Sequence, residues 1–289
     1  MMLDFSDVLL TVDFDRTLTD PNSQIPQRNL EAIHWFMARG GAFTVNTGRS
    51  IPMCLGKLLP EVPVNVPLLL YNGSAAYDKV SGQLINVHPI DLDPDAVIEE
   101  LQAMFPELNI EIQGVDAHYL ARKNEMWERY CDHNGGPWGY SIPHEIPGPF
   151  MKFSIYGTFE DETVAAMYRI TDREQELFCQ AIRYVNEQYG DKVDVFRACP
   201  RIVDIHAKGC SKIRSARELQ QKLGRKILVC VGDAENDLPM LEGADYAFCP
   251  ADGAIADRFP NVCNCAEGAV AEVIYKKIPE ICASLLTDA

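Results

Sequence analysis

The sequence contains no run of about 18 consecutive apolar residues, which argues against a membrane-spanning helix. Its first residues, MMLDFSDVLL, carry Asp4 and Asp7 and no basic stretch, so a secretory signal peptide is not expected. No CxxC pair occurs. The ten cysteines are scattered from Cys54 to Cys282, and the lone CxC of Cys263 and Cys265 is too tight to form two arms of a zinc knuckle. The expectation is a cytoplasmic protein with reduced, buried thiols rather than a disulfide or zinc scaffold. Internal repeats and low-complexity segments are also missing.

Positive charge is scarce. Against 42 Asp and Glu stand only 26 Lys and Arg, a formal charge of −16. Such a balance argues against nucleic acid or an anionic membrane as partner. A small anionic substrate stays open, because a metal ion and a few local cations can reverse the field inside a cleft. With 289 residues, 47% hydrophobic and 24% charged, the composition is that of a globular protein with a sizeable core, in one large domain or two medium ones.

Residues 8–14, VLLTVDF, are a short apolar run ending in acids, as buried parallel strands are. Pro26 opens a helical pattern with Leu30, Ile33, Phe36 and Met37 on one face, closed by Gly40 and Gly41. AFTVNTGR and PLLLYNG follow as further strands. The alternation returns after residue 210, with a helix over 210–223 and strands in KILVCVGD and DYAFCP. Strands alternating with helices predict a parallel α/β sheet with right-handed crossovers.

Between these halves the pattern changes. AAYDKVSGQLINVHPI reads as a hairpin turning at Ser81-Gly82; PDAVIEELQAMF and REQELFCQAIRYVNEQY read as amphipathic helices; MKFSIYG, KVDVF and RIVDIHA read as strands. GGPWG at 135–139 reads as a loop. The expected division is a core of residues 1–76 and 206–289 with an inserted α+β domain at 77–205.

Polar clusters fall where predicted core strands end, the place where open α/β sheets hold ligands. Asp13-Phe14-Asp15 offers two carboxylates that can act as nucleophile and acid/base or hold a metal; solvated strand-end aspartates are the plainer alternative. Thr47-Gly48-Arg49 offers a hydroxyl and a glycine amide suited to a phosphoryl oxygen, or a simple helix cap and turn. In GDAENDLPML, Asp233, Glu235, Asn236 and Asp237 bring hard oxygens together, which favours Mg²⁺, or else form an acidic helix start. Lys212 can supply a cation.

In order and placement these clusters resemble the motifs of the haloacid dehalogenase (HAD) superfamily. VDFDRTLTD is similar to its first motif, the threonine of VNT to its second, Lys212 to its third and GDAENDLPML to its fourth. The long insertion after Asn72-Gly73 resembles the C2 cap of the type IIB, Cof-like phosphatases. The resemblance implies a Rossmann-like parallel-sheet core with an inserted α+β cap, and a magnesium-dependent phosphatase acting on a small phosphorylated metabolite such as a sugar phosphate. It implies that Asp13 becomes an aspartyl phosphate and that Asp15 is the general acid and base. It further implies that Mg²⁺ is held by the Asp13 carboxylate, the Asp15 carbonyl and Asp233, with Asp237 acting directly or through a water. Thr47 and the Gly48 amide would hold phosphoryl oxygens, Lys212 would neutralise charge, and Asn236 would orient the site or touch phosphate. Arg49 is either a substrate contact or a structural ion pair.

The position after the acid/base is usually glycine in this superfamily and is Arg16 here. A side chain is tolerated there unless the backbone demands positive φ; Arg16 would then point into the cleft or pair with Asp20. Substrate selection falls to polar and aromatic residues of the insertion, among them His118, Tyr119, Arg122, Lys123, Trp138, Tyr140 and His144. The alternatives are a sugar phosphomutase on the same scaffold and a non-catalytic binding protein. Dehalogenation has no use for the Asp233 and Asp237 cluster, and a P-type pump would need transmembrane helices. A monomer or small homo-oligomer is expected.

Overall fold

The computed structural model describes residues 3–55, 58–134, 136–141, 146–157 and 169–287. Among them, no helix is long and apolar enough to cross a membrane. The chain forms two compact units, one of residues 1–47, 62–85 and 211–289, the other of 48–61 and 86–210.

The first unit is built on a five-stranded sheet in the order Asn261–Val262, Tyr246–Pro250, Ile227–Val231, Val8–Val12, Ala42–Val45. All pairings in it are parallel. The strands are short apolar runs because both faces are covered: Val8–Val12 and Ile227–Val231 are buried throughout. An isolated parallel bridge from Asn46 to Leu69 brings in Leu68–Leu70. That strand turns back through Ala75–Asp78 and Gln83–Ile85 as an antiparallel hairpin. This pairing is why 77–85, expected in the insertion, packs with the first unit instead.

The helix Gln27–Met37 begins after Pro26 and buries Ile33 and Phe36, as the spacing predicts. The helix Lys212–Leu223 is sharply bounded. Ser211 accepts a bond from Arg214 N–H at its start, and Gly224 closes it at φ +65. Its Ala216 and Leu219 pack with Leu9, Leu228 and Cys230 of the strands.

Val8–Val12 is the point at which the sheet reverses direction. The chain moves from it to Ala42–Val45 on one side, while the C-terminal half adds Ile227–Val231 and its successors on the other. Carboxyl ends of strands at such a reversal open a crevice. Val12 pairs with Val231, so Asp13 and the Gly232-Asp233 segment emerge side by side there.

The second unit carries a six-stranded sheet in the order Val193–Cys199, Ile202–Ala207, Phe150–Tyr156, Asn109–Gly114, His118–Leu120, Trp138–Tyr140. It is antiparallel except at its last pair. The helices Pro94–Met104 and Asp172–Tyr189 bury Val97, Ile98, Leu101, Phe178, Ala181 and Val185 against Ile110, Ile112, Phe153, Ile155, Val203 and Ile205. Alternate positions of the same strands point the other way and are polar yet buried: Glu111, Gln113, Lys152, Ser154, Asp204 and His206. The expected loop at 135–139 is corrected in part. Residues 138–140 form a strand pairing in parallel with 118–120, tied down by Trp138 Nε1 donating to Asp132 Oδ1 at 2.7 Å and Tyr140 OH donating to Glu128.

Candidate active site

Asp13 follows the central strand directly, and its N–H still donates to Val231 O at 2.9 Å, so the sheet fixes its backbone. Lys212, at the first turn of its helix, donates from Nζ to Asp13 Oδ1 at 2.5 Å and to Asp237 Oδ1 at 2.6 Å. Asn46 holds that helix start by donating from Nδ2 to Lys212 O at 2.8 Å. Asp237 is pinned on its other oxygen as well, since Oδ2 accepts the N–H groups of Asp233 and Ala234 at 3.0 and 3.2 Å. The tight return needs Gly232: a Cβ there would lie 2.6 Å from Asp237 Cβ. Gly73 has a similar task, because a Cβ at its φ of +94 would meet Ser211 O at 2.2 Å. Asp233 Oδ1 accepts from the Thr17 hydroxyl at 2.9 Å.

The carboxyl oxygens of Asp13, Asp233 and Asp237 lie within 4.8 Å of one another, all buried. Burial pushes the Asp13 carboxyl well up; Lys212 opposes this, while Asp237, Asp233 and Asp15 add to it. Burial, reinforced by Asp237, likewise pushes Asp233 up to about 7. Lys212 is held up as an ammonium by its two carboxylate partners against its own burial. The cluster therefore has more carboxyl groups than one lysine can neutralise once they ionise, and its donors are all hard oxygens. Such a set can hold a hard divalent cation.

Asp15 is half-buried and close enough for its charge to raise Asp13. Thr47 is buried at the end of the neighbouring strand, where its N–H donates to Leu69 O at 2.9 Å and its carbonyl accepts from Asn72 N–H at 3.0 Å. Asn236 is half-buried in the single turn 235–237, whereas Glu235 is exposed and outside the buried cluster. Gly48 and Arg49 belong to the second unit, where Gly48 O accepts from Lys152 Nζ at 3.0 Å and Arg49 is half-buried.

Arg16 departs from the expectation that its backbone avoids positive φ. It sits at φ +59 and ψ 8, the left-handed conformation in which glycine is at ease and other residues are strained. Asp20 does not take it up: the Asp20 carboxylate accepts the N–H groups of Asn22 and Gln24 at 2.8 and 2.7 Å. The Arg16 charge acts on Asp233 instead, lowering its affinity for a proton.

Thr17 and Asn46 were not among the candidates read from sequence. Thr17 lies within VDFDRTLTD and Asn46 directly precedes Thr47, and that placement is the only signal the sequence offers. Of the residues considered for substrate selection, His118 is buried and bonded, and Arg122 is spent on Asn109 Oδ1 and the Pro106 and Leu108 carbonyls. Lys123 is exposed beside Glu125, and Tyr119 is half-buried. His144 lies outside the described residues.

A family model described as haloacid dehalogenase-like hydrolase matches residues 10–256. A provisionally named phosphatase of Streptococcus pyogenes serotype M6 is 24% identical over 243 residues, which span 81% of this chain and 83% of its own. A haloacid dehalogenase-like hydrolase from Bacteroides thetaiotaomicron superposes with a TM-score of 0.74 at 18% identity, over 93% of this chain and 98% of that one. The HAD subclass IIB sugar phosphatase BT4131 does so with a TM-score of 0.73 at 17% identity, over 93% and 99%. At these identities the structural likeness establishes the fold.

Proposed function

Because the chain belongs to the haloacid dehalogenase-like hydrolases, we propose that it hydrolyses phosphate monoesters of small metabolites, sugar phosphates foremost, through an aspartyl phosphate on Asp13. The observation that carries this reading is the Asp13 carboxylate itself, fixed at the sheet's reversal point with one oxygen on Lys212 and Asp233 and Asp237 beside it.

With Oδ1 held by Lys212, the other oxygen of Asp13 is the one available to attack phosphorus. An Asp13 O–P bond forms as the ester P–O bond breaks. Asp15 gives its proton to the departing alkoxide, a step of general acid catalysis typically worth about 10²–10⁴ in rate. The Asp15 carboxylate then takes a proton from water as that water attacks the same phosphorus. The Asp13 O–P bond breaks, the carboxylate returns, and inorganic phosphate leaves. Lys212 stays charged throughout and offsets negative charge on Asp13 and the phosphoryl group. Thr47, at the end of the adjacent strand, holds a phosphoryl oxygen with its hydroxyl.

The buried oxygen cluster fits Mg²⁺, which would be held by the Asp13 carboxylate, the Asp15 carbonyl and Asp233, with Asp237 binding directly or through a water. Magnesium when bound supplies charge stabilisation for phosphoryl oxygens. Asp237, already anchored on both oxygens, contributes mainly by fixing Lys212 and the turn.

The test is phosphate release from a panel of phosphorylated sugars, polyols, nucleotides and acids, with Mg²⁺ and with EDTA. Release that requires Mg²⁺ is the expected result. Silence across the panel, including an activated aryl phosphate, would contradict the assignment.

A further inference from the structure

The second unit holds a separate constellation of ligating groups. Glu111 on the strand Asn109–Gly114 and His118 on His118–Leu120 share one face of the sheet, since Gln113 pairs with His118 across the antiparallel ladder. The helix Glu125–Asn134 brings Cys131 over the same spot. The carboxylate, imidazole and thiol ligand atoms lie within 4.8 Å of one another. Glu111, His118 and Cys131 are 1%, 5% and 5% exposed.

The bonding around His118 gives this trio a direction. Its Nε2 lies 2.6 Å from Ser50 Oγ, which also accepts Met53 N–H at 3.3 Å. Nδ1 lies 2.6 Å from Glu111 Oε1, and in the tautomer whose Nε2–H donates to Ser50 the Nδ1 lone pair faces that carboxylate. At this spacing the two atoms share a proton, which a metal ion would displace as it drew both into its own shell. Glu111 Oε1 is buried without a well-angled hydrogen bond, while Oε2 accepts from Gln113 Nε2 at 3.2 Å. A proton alone would satisfy the imidazole and carboxylate but gives no reason for a thiol at the same point. Imidazole oriented through its far nitrogen is also the usual arrangement of a metal-bound histidine.

We infer that Glu111, His118 and Cys131 form a buried site for a borderline-soft divalent metal ion of the zinc class, distinct from the oxygen cluster around Asp13. Sulfur, nitrogen and oxygen donors together suit zinc and not magnesium. Trp127 stacks on Tyr156 with ring centroids 3.9 Å apart, and both pack with Cys131, so the surroundings are apolar and shielded. Burial and the Glu111, Asp132 and Glu128 carboxylates raise the Cys131 thiol, a negative surround that a bound cation would reverse. Metal here would tie two strands and a helix of this unit together. The absence of a CxxC in the sequence left such a site invisible, because its ligands come from separate elements.

The test uses the full chain, stripped with chelator and titrated with Co²⁺ in excess Mg²⁺. The expected result is a thiolate-to-cobalt charge-transfer absorption that saturates at a single equivalent, is lost in Cys131→Ser, and persists in Asp233→Asn. Absence of that absorption, or its survival in Cys131→Ser, overturns the proposal. Should Cys131→Ser fail to fold, X-ray absorption on the zinc-loaded wild type decides. One sulfur at about 2.3 Å beside nitrogen and oxygen donors supports the site, and an all-nitrogen and oxygen shell contradicts it.

Discussion

Lys212 Nζ lies 2.5 Å from Asp13 Oδ1, a buried ion pair between residues 199 positions apart in the chain. The same ammonium meets Asp237, so its removal strands two carboxylates out of water. Lys212→Met should therefore cost about 3–5 kcal/mol of stability, the usual penalty for breaking a buried pair from one side. Turnover should be lost with it. Urea denaturation of the variant checks the first claim, and an unchanged midpoint would show that the pair is not what holds these carboxylates in place.

Thr17 donates to Asp233 Oδ1, and losing that bond frees a carboxylate proposed to hold Mg²⁺. Thr17→Val should weaken Mg²⁺ binding by about tenfold, the lower end of what such supporting bonds are worth. Calorimetric titration reads this directly. Wild-type affinity in the variant would remove Thr17 from the account.

Much of the first unit was legible because buried parallel strands are short apolar runs, and Val8–Val12 and Ile227–Val231 are of that kind. The motif residues were legible as types but not as neighbours: nothing local says that Lys212 meets Asp13, and the resemblance to a known superfamily supplied that. Thr17 and Asn46 escaped because a single polar residue within or beside a motif has no periodicity to betray its partner. The strand Trp138–Tyr140 escaped because glycine and proline punctuate its approach, while pairing with His118–Leu120 is a tertiary fact. Arg16 was legible as a departure from glycine, but its positive φ is a property of the folded turn.

In the metal-free protein, stability should fall as pH rises through the range in which Asp13 and Asp233 lose their protons. Both carboxyls have folded values above the unfolded value of 3.8, with Asp233 pushed up to about 7. Above pH 3.8 the folded state thus binds more protons than the unfolded chain until these carboxyls ionise. Each such group contributes a slope of at most about 1.4 kcal/mol per pH unit; for Asp233 the stabilisation is complete below pH 3.8 and is lost as pH rises through about 7. Saturating Mg²⁺ should flatten the slope. Denaturation midpoints from pH 5 to 8 with and without the ion test this, and identical profiles would speak against a metal on these carboxylates.

Arg16 holds φ +59 without being glycine. Arg16→Gly should relieve a strain of about 1 kcal/mol and raise the melting temperature, even though glycine gives the unfolded chain more freedom. Thermal unfolding of the Mg²⁺-loaded protein is the check. A destabilised variant would mean that the guanidinium contributes more beside Asp233 than the backbone loses.

The most direct test of the account is to catch the phosphate on Asp13. An activated aryl phosphate leaves without a proton, so Asp15→Asn should form the intermediate with Mg²⁺ yet lack the base that hydrolyses it. Acid quench followed by peptide mass spectrometry should find the phosphoryl group on Asp13, and none when Asp13→Asn is added to the same chain. Phosphate released with no phosphorylated enzyme, or a phosphoryl group carried on another residue, would contradict the assignment of Asp13 as nucleophile.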